Sequence, residues 1–246
     1  MTGVGTGALG RRVPTGDEIR ARYPGDAYVG MHAARYASVL SLAAGLALPR
    51  EPRVLDIGPS VLTILLREQL DVPVDTLGFD SLGYASAGAK HMLFDLNDAQ
   101  DRDRWLVVPD RYDLVVMSEV IEHVHTAPSL VLQFVRSLMV PRATLLLQTP
   151  NAVALGRRAR VLIGRNPYNL INEDTTNPLH FREYTQGEML DYLTGAGFVV
   201  RRCERVNLLD GRYVPYKSRM AGSVQYAVGK VLPPQLRSSI SAVATA

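Results

Sequence analysis

The densest concentration of reactive side chains in the sequence is Glu119-Val-Ile-Glu122-His123-Val-His125. Read as a helix, positions i, i+3 and i+4 share one face, so Glu119, Glu122 and His123 converge. Two carboxylates and an imidazole aimed at one point repel, neutralise or hold a cation. Oxygen-rich ligation with an imidazole suits Mg2+ or Mn2+, and the imidazole leaves Fe, Co and Zn open. A fourth ligand has to come from elsewhere, and His180 is the candidate. The metal-free alternative is a Glu-His pair that packs or touches a substrate. There His123 or His180 is the general base, with His125 a further choice.

A second set of residues is spaced for a nucleoside ligand. Arg53-Val54-Leu55-Asp56-Ile57-Gly58 is an apolar run ending in Asp and Gly. Glycine at a strand end lets a ligand approach the backbone, and Asp56 can accept from a ligand amine or from its own loop. Asp80 follows Gly58 by 22 residues, the place where a carboxylate accepts ribose hydroxyls. Asp95, after Leu93-Phe94, can accept from an exocyclic adenine amine. Each motif alone is compatible with an ordinary turn; the ordered set Asp56, Gly58, Asp80 and Asp95 is more specific than any member.

These positions require a scaffold that delivers strand ends to one edge. Strands are expected at 53–58, 74–79, 92–95, 112–117 and 143–148, with helices at 60–70, from about Glu119, and at 130–139. This alternation predicts an α/β fold with a mostly parallel sheet. Residues 1–16 read as loose. Residues 17–47 read as helical, broken at Pro24-Gly25, with Met31, Ala34, Val39 and Leu42 near one face. Residues 152–180, with Arg157, Arg158, Arg160 and Arg165, read as an inserted cap. Residues 183–196 form an amphipathic helix through Met189, Leu190 and Leu193, and a strand begins at Gly197. The last forty residues are expected to supply a final hairpin and a basic terminal helix broken at Pro233-Pro234.

At this point the chain resembles the class I S-adenosylmethionine-dependent methyltransferases. Val54-Leu-Asp56-Ile-Gly58 is their first motif, Gly78-Phe79-Asp80 resembles their ribose-binding strand end, and Phe94-Asp95-Leu96 their adenine-side loop. Tyr112 to His123 is similar to their fourth strand and the helix after it. His180-Phe-Arg-Glu-Tyr-Thr185, Glu188-Met-Leu and Ala196-Gly-Phe198 match their late region. The resemblance spans roughly residues 50–200 and implies a Rossmann-like seven-stranded sheet with helices on both faces. It implies S-adenosylmethionine bound by Asp56, Gly58, Pro59, Ser60, Asp80, Asp95, Leu96, Ser118 and Arg35. One departure is that Pro59-Ser60 replaces the usual second glycine, so the loop takes another path. Glu-x-x-Glu-His resembles metal-dependent 2′-O-methyltransferases of small silencing RNAs, and related quinone O-methyltransferases. That implies metal ligands Glu119, Glu122, His123 and His180. The segment Gly164-Arg-Asn-Pro-Tyr168 resembles bacterial glycan O-methyltransferases, so the expected acceptor is a saccharide hydroxyl. The alternatives are a metal-free small-molecule methyltransferase and a non-catalytic module.

Composition bounds the rest. The 246 residues fit one domain: an N-terminal helical part (1–50), a cofactor-binding core (51–151), an insertion (152–182), and C-terminal strands with a basic helix (183–246). One cysteine, Cys203, excludes a disulfide scaffold and a thiolate zinc cluster; it reads as core. No apolar run reaches the about 18 residues of a membrane span, and residues 1–10 lack signal-peptide features, so a cytoplasmic protein is expected. Lys+Arg number 27 against 24 Asp+Glu, but residues 201–246 carry 8 basic against 2 acidic. That tail could bind nucleic acid. Its aromatic spacing is not that of a stacking platform, so a solvated or interface helix is preferred. His32, Arg35 and Tyr36 either close over the cofactor or substrate or form a solvated face with a buried tyrosine. A homodimer is open.

Overall fold

The computed structural model describes residues 11–80, 83–84, 88–173, 179–213 and 218–246. The expected looseness of residues 1–10 lies outside the described residues. Thr15 and Gly16 are ordered by the first helix. The Thr15 hydroxyl accepts from the Glu18 amide while the Glu18 carboxylate accepts from the Thr15 amide, a reciprocal cap on α1 (Gly16–Arg22). Pro24-Gly25 then separates α1 from α2 (Ala27–Ala44), with Gly25 in the left-handed region at φ 85°.

Seven strands form one sheet: β1 (Val54–Ile57), β2 (Val74–Gly78), β3 (His91–Leu93), β4 (Tyr112–Ser118), β5 (Met139–Pro150), β6 (Val199–Val206) and β7 (Ser239–Thr245). Their order is β3-β2-β1-β4-β5-β7-β6. The first five are parallel; β7 runs antiparallel between β5 and β6, in register from Pro150↔Ser239 to Thr144↔Thr245. The terminal element is therefore a strand, not the expected basic helix. The helix is α7 (Arg219–Val231), which comes before it. Small alternating residues (Ser241, Ala242, Val243, Ala244) fit a central strand crowded on both faces.

The sheet is covered on both faces because its strands alternate. On β4, Leu114 and Val116 pack with Val54, Val74 and Leu146 against α2 and α3 (Val61–Leu70). Val115 and Met117 pack with Leu55, Ile57, Leu145 and Leu147 against α4 (Pro128–Ser137) and α6 (Gln186–Gly195). Phe94 stacks on Phe134 of α4 with ring centroids 4.4 Å apart. The buried face of α2 is Val29, Ala33, Tyr36, Leu40 and Ala43, joined by Val39; Met31, Ala34 and Leu42 of the expected face are only half-buried. The helix lies under the sheet rather than on its rim, so it is buried through a wider arc than one stripe.

The expected helix from Glu119 is absent. Glu119 is left-handed at φ 58°, and only a single short turn forms, at Ile121–His123. Ala127 is extended before Pro128, as proline requires of the residue before it. Val120, Ile121 and Val124 also disfavour helix. Asn97 holds this segment as a loop. Its side-chain oxygen accepts from the amides of His125 and Thr126, at 2.9 and 3.2 Å. Among the described residues no helix is long and apolar enough to cross a membrane.

Candidate functional site

The parallel strands deliver their last residues to one edge, where ligands of open α/β sheets bind. Gly58 follows β1, Asp80 lies two residues past β2, Asp95 two past β3, Glu119 one past β4 and Asn151 one past β5. Gly58 adopts φ 80°, and a Cβ there would come within 2.7 Å of Val120 Cγ2. Only glycine therefore fits between the first loop and the segment after β4. Pro59 is buried and Ser60 caps α3, accepting from the Leu62 amide at 3.2 Å. The Pro59-Ser60 departure thus builds a helix start in place of a glycine loop.

Asp56 is buried at the end of β1 and accepts a 2.6 Å hydrogen bond from the Thr63 hydroxyl. Burial pushes its pKa up to about 7, against the opposing pull of Thr63 and of Arg35. Asp95 caps the turn Leu96–Gln100 through the Asn97 amide at 2.8 Å, and Leu96 is buried beneath it. Asp80 is exposed at the β2 end. The Ser118 hydroxyl donates to Gln148 Oε1 at 3.2 Å, linking the ends of β4 and β5.

Arg35, His32 and Tyr36 are all buried on α2, so the solvated-face alternative fails. Arg35 Nε and Nη1 have no hydrogen-bond partner within the protein. Burial works against the guanidinium charge, but Glu119, Tyr28 and Tyr36 together outweigh it and raise the Arg35 pKa. Burial, with Arg35 and His180 nearby, lowers His32 to about 3.

Glu122, His123 and His180 converge: each offers a ligand atom, and these atoms all lie within 4.8 Å of one another. Glu119, expected as a fourth member on a helix face, does not join this group. The left-handed turn at Glu119 breaks the i, i+3 relation, and its carboxylate interacts with Arg35 instead. Convergence comes from two loops. The Glu122 carbonyl accepts from the amides of Phe181 and Arg182, at 2.8 and 3.3 Å, clamping the His180 segment to the turn after β4.

Each imidazole is held by its inner nitrogen. His123 Nδ1 donates to the Leu179 carbonyl at 2.8 Å, and His180 Nδ1 donates to Glu183 Oε1 at 2.7 Å. A carbonyl only accepts, so the neutral His123 ring carries its proton on Nδ1 and presents an Nε2 lone pair. Burial and His180 lower His123 to about 4. Glu122 is fully buried. Its Oε2 accepts from the Thr149 hydroxyl at 3.0 Å, and its Oε1 has no partner within the protein. Burial, then the neighbouring Glu119 charge, holds Glu122 well above the usual carboxylate range.

Sequence reading missed Glu183, Thr149, Asn97 and the Leu179 carbonyl. Glu183 follows His180 by three residues, and also bonds Arg157; that spacing was the available signal. His125 faces Phe181 edge-on, outside the cluster. Cys203 is half-buried in β6, where burial raises its thiol to about 11.

Residues 30–202 match the family model for a methyltransferase domain. No curated protein sequence matches the chain. Among solved structures, the chain is similar to a SAM dependent methyltransferase from Archaeoglobus fulgidus. The TM-score is 0.56 at 15% identity, covering 92% of this chain and 97% of that one. An S-adenosylmethionine dependent methyltransferase from Mesorhizobium loti gives 0.56 at 16% identity, covering 85% and 97%. The 1,6-didemethyltoxoflavin-N1-methyltransferase of Burkholderia thailandensis, bound to 1,6-didemethyltoxoflavin and S-adenosylhomocysteine, gives 0.56 at 16%, covering 89% and 80%.

Proposed function

The chain belongs to the methyltransferase-domain family, and from that premise we propose that it is an S-adenosylmethionine-dependent O-methyltransferase, assisted by a divalent cation, that acts on a saccharide hydroxyl. The observation that carries this reading is the Glu122–His123–His180 cluster. A fully buried carboxylate oxygen without a partner faces two imidazoles whose inner nitrogens are already engaged. With one carboxylate and two imidazoles the donor set is nitrogen-rich, which fits Mn2+ or a softer ion such as Fe2+, Co2+ or Zn2+ better than Mg2+, and Glu183 and Leu179 are the outer partners that orient ligating histidines. In this reading Glu122, His123 and His180 hold the cation, and Glu119, the expected fourth ligand, is turned to Arg35.

The cofactor cradle has its own support. Gly58, at φ 80° and packed against Val120, shapes the turn after β1 in which the loop faces the strand-end cleft. Asp56, Asp80 and Asp95 offer acceptors to the amine, ribose and adenine. Pro59, Ser60, Leu96 and Ser118 complete the walls, and the unpartnered Arg35 nitrogens match a carboxylate.

When bound, S-adenosylmethionine supplies an electrophilic methyl group and the cation a positive charge beside the acceptor oxygen. Methyl transfer is an in-line displacement, so the chain must hold that oxygen close and aligned. The buried cluster orients a vicinal hydroxyl pair and keeps water away. In the metal-free alternative, His123 or His180 accepts the hydroxyl proton at Nε2 instead.

The test is methyl transfer to short oligosaccharides bearing vicinal hydroxyls, with and without chelator, for the native chain and Glu122→Ala. Loss of transfer in both, restored by Mn2+ in the native chain alone, supports the metal-assisted reading. Unchanged transfer under chelation removes the cation and leaves a histidine base. No transfer to any saccharide, with cofactor binding intact, removes the acceptor class.

A further inference from the structure

We propose that α5 (Leu155–Leu162) and α7 form a docking surface for an anionic lipid bilayer beside the mouth of the site. α5 has eight residues and buries none of them. Its Arg157 donates to the Pro167 carbonyl at 2.6 Å and pairs with Glu183, and its Arg158 donates to the Val153 carbonyl at 2.7 Å. At about 100° per residue, Leu155, Ala159, Leu162 and Ile163 form a stripe on the side roughly opposite Arg157. Leu162 is 86% exposed and Ile163 67%. An eight-residue helix gains too little from its own hydrogen bonds to be stable alone in water, so an uncovered stripe on it is costly.

α7 repeats the arrangement. Its inner side is Gly222, set against the backbone of Gly211, and Gly229, whose carbonyl accepts from Asn207. Met220, Val224, Val228 and Val231 follow at helical spacing on the other side; Met220 is 78% and Val231 81% exposed. Single exposed apolar residues are ordinary, but two helices each carrying an exposed stripe at helical spacing are not.

Both helices leave from the same edge of the sheet. Asn151, just past β5, donates its side-chain amide to the Arg237 carbonyl and its backbone amide to the Ser238 carbonyl, each at 2.8 Å. This ties the connection after α7 to a point four residues before α5. Through Arg157 and Glu183, α5 touches the partner of His180.

Charge selects the occupant. Beyond Arg157, which pairs with Glu183, residues 158–173 carry three arginines against one carboxylate, and 218–238 carry three basic residues against none. Arg158 and Arg160 border the α5 stripe. An apolar stripe edged by arginine suits the interface of a bilayer with negative headgroups.

The experiment is co-sedimentation of the full chain with vesicles of pure phosphatidylcholine, and of equal parts phosphatidylcholine and phosphatidylglycerol. The expected result is binding to the mixed vesicles that weakens with salt, and little binding to the neutral ones. Leu162→Glu on α5 and Val231→Glu on α7 each weaken that binding about tenfold or more, with melting temperatures unchanged. Absence of binding to the mixed vesicles overturns the proposal. So does native-like binding by both variants, or a dimer in light scattering that the two substitutions dissociate, because then a second copy covers the stripes.

Discussion

His180 donates Nδ1–H to Glu183 across 2.7 Å, and Arg157 of α5 bonds the same carboxylate oxygen. A histidine of the cluster is thus set by a residue that itself reaches the insertion. Glu183→Gln keeps the size but removes the charge that orients the ring. Loss of such an outer partner costs roughly 10- to 100-fold in metal affinity or activity. Titration calorimetry with Mn2+ beside steady-state rates checks this; a variant with native Mn2+ affinity refutes the role given to Glu183.

Gly58→Ala is expected to fail on two counts. The residue sits at φ 80°, and a Cβ would meet Val120 at 2.7 Å. The left-handed conformation alone costs about 1–2 kcal/mol, and the displaced loop loses S-adenosylhomocysteine binding by tenfold or more. Thermal unfolding and calorimetry measure the two effects separately.

Asp56 gives a pH signature in the ligand-free protein. Its folded pKa is raised to about 7 by burial, from 3.8, so between those values the folded chain holds a proton that the unfolded chain has released. Its contribution to stability is therefore complete below about pH 4. It declines by up to about 1.4 kcal/mol per pH unit as pH rises, and levels off above 7. Asp56→Asn lacks this decline. Melting temperatures of the two proteins from pH 4 to 9, taken as a difference, trace it; parallel curves would contradict the assignment.

Asn97→Ala removes the acceptor for the amides of His125 and Thr126. Each lost hydrogen bond costs about 1 kcal/mol. The larger effect is on rate, because the released loop carries Glu122 and His123, and misplacement of about 1 Å can cost 10²-fold. A fall in kcat of at least tenfold, with only a modest drop in Tm, is expected.

The first five strands were legible because buried parallel strands are short continuous apolar runs ending at Gly, Asp or Asn. The carboxylates at their ends were placed by the same logic. The segment after β4 was misread because Glu119, Glu122 and His123 carry the spacing of a helix face. The opposing signals were local and weaker: β-branched Val120, Ile121 and Val124, and Ala127 before Pro128. His180 was assigned to the cluster, but the Glu122 carbonyl that clamps its segment is a backbone atom, which no side-chain pattern announces. The terminal strand was hidden for a different reason. Residues 239–245 are small and alternate weakly, and their partners lie as far away as β5.

That distance sets the order of assembly. β7 is made after every other strand, yet β5 and β6 meet only through it. While the chain is being synthesised, β5 presents an open edge and β6 has no sheet to join, and open edges invite pairing with other chains. Closure of the sheet waits for residues 239–245 to leave the ribosome. A nonsense codon a few residues before Ser239 would therefore yield a product prone to aggregate rather than a shortened, folded enzyme.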